Sequence, residues 1–135
     1  MNRRKIFRPC FLVLAVVIGL LSTICIYSAI QLHLLRSYGV HGSPADAMYS
    51  VVFKDYHGVK KIEVGHMDRE IFGHLCLVQV YVWAEEPADG RDFDHGDYDN
   101  QEGFFVRTRK GWVFVPQKKH PHIVALGQWL LDLVI

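Results

Sequence analysis

Residues 75–84 read LCLVQVYVWA, and the reading of these ten residues decides the fold. Side chains of a strand alternate between its two faces. Cys76, Val78, Val80, Val82 and Ala84 then share one face, all small and apolar. Leu75, Leu77, Gln79, Tyr81 and Trp83 share the other. A strand that is apolar on both faces belongs in the centre of its sheet. Cys76 alternates with valines and so reads as a small core hydrophobe, whereas a catalytic thiol needs an exposed, electropositive setting.

Moving outward from this strand, residues 85–103 (EEPADGRDFDHGDYDNQEG) carry Gly, Pro and Asp without periodicity and read as a long acidic loop. Phe104–Arg109 and Trp112–Val115 read as a hairpin around Lys110-Gly111. Phe104, Val106, Thr108, Val113 and Val115 then share one face, and Phe105, Arg107, Arg109, Trp112 and Phe114 the other. Upstream, Val59–Gly65 reads as a strand and Met67–Glu70 as a turn. Ser43-Pro44-Ala45-Asp46 is a helix start: a capping hydroxyl, a proline pre-set for the first turn, and an acid at the positive end of the helix dipole. The spacing predicts a helix over 44–56, ended by Gly58, with 36–42 as a linker before it. Pro121 opens a last helix through Ile135 whose polar stripe is only Gln128 and Asp132, with small Ala125. Such a helix needs burial on most sides but is too short to cross a bilayer. The sheet, the membrane surface and a partner chain are all possible seats for it.

At the N-terminus, Cys10 to Ile30 contain no charged residue (CFLVLAVVIGLLSTICIYSAI). Twenty helical residues rise ~30 Å, the thickness of the hydrocarbon layer. The run is longer than the apolar region of a signal peptide, and Tyr27 stands where cleavage after Ala29 would need a small residue. The segment therefore reads as a retained signal-anchor over 10–35. Four bases precede it within residues 1–9, which places the N-terminus in the cytoplasm and residues 43–135 outside. The expected fold class is α+β: a transmembrane helix, then a small antiparallel sheet of about four strands, with one helix before it and one apolar helix after it.

The whole chain has a formal charge of +1, but it divides unevenly. Residues 1–36 carry +5, 37–84 carry −1, 85–103 carry −7 and 104–135 carry +4. Charge and location together speak against nucleic acid. A chain of 135 residues has room for one small domain. Lys61-Ile62-Glu63-Val64, the strand at 75–84 and Arg109-Lys110-Gly111-Trp112-Val113 follow an order that resembles small exported domains of the cystatin-like or nuclear-transport-factor-like α+β type. The resemblance covers about residues 43–117 and implies a helix packed on a curved antiparallel sheet. It carries no function across, because that architecture hosts enzymes, binders and structural modules alike.

Three constellations invite chemistry. Arg107, Arg109 and Trp112, with Tyr81, offer cations and rings to an anionic or aromatic ligand. The last helix can equally cover that face. Asp92, Asp94, Asp97 and Asp99 offer hard oxygens to Ca²⁺, although their spacing departs from an EF-hand. The third is histidine: eight are present, but no zinc-type spacing joins them, and His66 and His74 are expected to face each other across a hairpin. No nucleophile elbow, phosphate loop or dinucleotide fingerprint occurs, so neither an enzyme nor a cofactor is expected. The leading expectation is an extracytoplasmic interaction or scaffolding module whose partners are the bilayer and, through the last helix, another membrane or extracytoplasmic protein. The alternatives are a small-ligand-binding roll, with a pocket between helix 44–56 and the sheet, and a calcium-stabilised domain. An open pocket lined by Tyr49, Tyr81 and Arg107 would favour the ligand binder, and a filled core the scaffold.

Overall fold

A computed structural model describes residues 3–87 and 98–135. The fold is α+β. Helix α1 (Arg3–Leu35) leads into α2 (Pro44–Asp55), strands β1 (Tyr56–Glu70), β2 (Leu75–Pro87), β3 (Asp99–Thr108) and β4 (Gly111–Val115), and α3 (Pro121–Val134). The four strands pair antiparallel in sequence order, so β2 is internal as its two apolar faces require. Ser43 caps α2 as expected, its hydroxyl accepting from Asp46 N–H at 3.1 Å, with Pro44 in the first turn.

Both faces of the sheet are packed, each by a different layer. On one face α2 buries Ala47, Met48 and Val52 against Cys76, Val78, Val80, Val82, Phe105 and Trp112. On the other, α3 and the end of α1 bury Val124, Ala125, Leu32 and Leu35 against Leu75, Val106, Val113 and Val115. The two faces of the β3–β4 hairpin are those read from the alternation. The Phe105, Trp112 and Phe114 face is covered by α2, however, and α3 lies on the opposite face. Three expected boundaries move. Residues 67–70 are strand, not turn, because β1 bulges at Lys60 and again at Gly65. Each bulge shifts the alternation by one, so Val59, Ile62, Val64 and Met67 all face α2 at spacings of three, two and three. The true turn is Ile71–His74. The acidic stretch is also shorter than expected, since β3 already begins at Asp99 and pairs it with Val82. The β3–β4 turn is Arg109-Lys110, one residue earlier than the glycine suggested.

Candidate functional site

The most informative feature is where α1 meets the domain. The residues of α1 beyond Ile24 are not a free stalk. Tyr27 Oη donates to Lys119 O at 2.8 Å and Ser28 Oγ to Val124 O at 2.5 Å. Cys25 Sγ lies 3.9 Å from Gly127 O. Ser28 is fully buried. A Cβ on Gly127 would stand 2.4 Å from Ser28 Cβ and 2.8 Å from Ile24 O, so only glycine lets the two backbones come this close. Contacts that ascend α3 descend α1, so the helices run antiparallel. The signal for this seam in the sequence was faint: one glycine in a largely bulky helix, and small Cys25 and Ser28 three apart in the N-terminal apolar run.

Asp132, near the end of α3, is the second junction. Its Oδ2 lies 2.8 Å from His74 Nε2 and its Oδ1 accepts from Gln128 Nε2 at 2.8 Å, while Arg109 Nε stands 3.5 Å away. The carboxylate thus ties α3 to both sheet turns and answers the polar stripe of an otherwise apolar helix. His74 does not face His66. His66 lies opposite Gln79 and pairs with Asp68 at 2.8 Å.

A groove of about 610 Å³ opens between the end of α1, α2 and the exit from β4. Leu34, Leu35, Val51 and Phe114 are among its apolar lining, and Lys54, Asp55, Lys118 and Lys119 carry its charges. Gln31 also lines it, and its Oε1 is buried with no hydrogen-bond partner. The space between α2 and the sheet, by contrast, is filled by Met48, Val52, Tyr56 and Phe105.

The residues singled out for a ligand do not converge. Trp112 is buried under α2, with the Arg69 guanidinium 5.7 Å from its ring centre. Arg107 is exposed, and strand register puts it on the same face. Arg109 is directed to Asp132. Tyr81 is on the opposite face, edge-on to Tyr98 at 5.8 Å, where Trp83 also meets Tyr98 and Lys61. Asp92, Asp94 and Asp97 lie outside the described residues. Asp99 is buried, and its Oδ2 accepts from Tyr56 Oη at 2.5 Å. Among the described residues no group of three His, Cys, Asp or Glu side chains is placed to hold a metal. Cys76 is fully buried, and that burial pushes its thiol above its usual pKa, with Arg69 opposing and Asp68 adding to the shift. It therefore has the packing and the chemistry of a core hydrophobe. No family model, curated protein or solved structure matches the chain.

Proposed function

We propose that this is a single-pass membrane protein with its N-terminus in the cytoplasm, whose extracytoplasmic domain is an interaction or scaffolding module held at a fixed height and orientation on the bilayer. The observation that carries this reading is the continuity of α1. One helix is long and apolar enough to cross a membrane, and its far end is built into the core of the domain through Leu32 and Leu35. A flexible tether would suit a domain that searches for its target. A packed junction suits one that presents a surface in a set orientation. The filled space under α2 supports the scaffold over a ligand-binding roll. A reporter enzyme that works only outside the cytoplasm, fused after Ile135, is expected to be active. Activity of a cytoplasm-only reporter at the same position contradicts the reading.

A second reading rests on the groove. Its apolar lining beside three lysines, Lys54, Lys118 and Lys119, against one carboxylate, Asp55, suits an anionic amphiphile. A short-chain anionic phospholipid is expected to raise the melting temperature of the solubilised protein, and its zwitterionic counterpart is not. Lys118→Ala with Lys119→Ala is expected to abolish the difference. An equal effect of both lipids removes this reading.

A further inference from the structure

The end of the sheet that carries both hairpin turns has an apolar tip. Phe72 is 76% exposed at the apex of the β1–β2 turn, and its ring stacks on Trp129 of α3 at 4.5 Å. Leu133 and Val134 continue the patch at 65% and 85% exposure. The turn is held in an unfavourable shape to make this tip: Ile71 and Phe72 have φ of 52° and 55°, where side chains other than glycine are strained. Arg69, Arg109 and Lys110 are exposed at this end, Arg69 reaching over Trp112 and Arg109 toward Asp132. The nearby acids are engaged, Glu70 with His122 at 3.3 Å, Asp68 with His66 at 2.8 Å, and Asp132 with His74 and Arg109.

The position of the patch along α1 identifies what covers it. Gly127 sits against Ile24 and Ser28, and α3 continues seven residues further toward the N-terminal end of α1, about 10 Å at helical rise. Among the described side chains on the N-terminal side of Ile24, the least exposed large apolar ones are Leu21 and Val17, at 41% and 44%. With Ile24 and Ser28 they form one stripe at helical spacing, the stripe along which α3 runs. The part of the apolar run beyond this stripe, residues 10–16, rises only about 10 Å, far short of the ~30 Å of hydrocarbon. If α1 spans the bilayer, the hydrocarbon must reach the level of α3.

We propose that this end of the domain is seated in the outer leaflet, with Phe72, Trp129, Leu133 and Val134 among the acyl chains and Arg69, Arg109 and Lys110 at the lipid phosphates. An apolar wedge with an indole and a cationic rim is the pattern of a helix that lies in the membrane interface. The inference rests on the reading of α1 as a membrane span, and its test separates the two. The full chain is reconstituted in vesicles of phosphatidylcholine with brominated acyl chains, which quench indoles by contact. The emission difference between wild type and Trp129→Phe reports position 129, and Leu20→Trp reports the anchor. Quenching at both positions is expected. Quenching of the Leu20→Trp indole but not of Trp129 overturns the wedge and leaves the anchor standing, while quenching at neither overturns both. A second measurement does not depend on a core substitution. In the same vesicle system, Val134→Cys is expected to react with a membrane-impermeant maleimide at least tenfold more slowly than Lys60→Cys, and equal rates overturn the wedge.

Discussion

Gly127 does what no other residue could at its position. It lets the α3 backbone approach within contact of Ile24 and Ser28, and Ser28 Oγ then bonds the Val124 carbonyl across the gap. Gly127→Val is expected to force the helices apart and to cost about 1–3 kcal/mol, the usual range for overpacking a tight contact. Gly42 has nothing within 4 Å of its Cβ position, so Gly42→Ala is the neutral control. Thermal unfolding of the detergent-solubilised chain ranks the two, and equal melting temperatures contradict the seam. Cys76 was readable as a core residue from its alternation with valines, and its burial agrees. Of the Asp132 cluster, Gln128 was readable, four residues back on the same polar stripe of α3. His74 and Arg109 were not, since they come from two separate turns that only the tertiary fold brings to Asp132.

At the level of elements, α2, β2 and the β3–β4 hairpin could be seen in the sequence because each has an unbroken period or an explicit start signal. The far half of β1 could not. At Gly65 the bulge resets the alternation, and the chain then looks like a turn although it remains strand to Glu70. The same bulges serve an edge strand, since they twist it and discourage pairing with a second sheet. Gly65 is required for a further reason: the ring of Tyr81 lies over it, with Cε2 2.5 Å from where a Cβ would stand. Gly65→Val is expected to displace Tyr81 from Tyr98, lowering the near-ultraviolet aromatic circular dichroism and destabilising the domain by about 1–3 kcal/mol. An unchanged aromatic spectrum contradicts this role for the bulge. The seat of α3 was the other open point. Its hydrophobicity demanded burial on most sides, but periodicity alone could not choose among sheet, membrane and partner. The fold places it between the sheet and α1.

For the whole molecule, the charge and hydropathy blocks of the sequence acquire a spatial meaning. The N-terminal apolar block is both the candidate span and, at its far end, one wall of the core. The candidate ligand set, by contrast, disperses: Trp112 into the core under α2, Arg109 to Asp132, and Tyr81 to the opposite face with Tyr98. Arg107 and Trp112 do share the face read from their spacing, but Arg109 falls in the turn and Tyr81 on the other side of the sheet. What remains central is the proposed orientation of a domain fixed to the end of α1, and two cysteine substitutions, each read against the labelling of the native Cys10, Cys25 and Cys76 in the unsubstituted chain, test it most directly. Lys60 is exposed on β1, and Lys5 belongs to the basic N-terminal tail. In intact cells treated with a membrane-impermeant maleimide, Lys60→Cys is expected to be labelled and Lys5→Cys to be labelled only after the membrane is opened. Labelling of Lys5→Cys with protection of Lys60→Cys, or immediate labelling of both, would contradict the account.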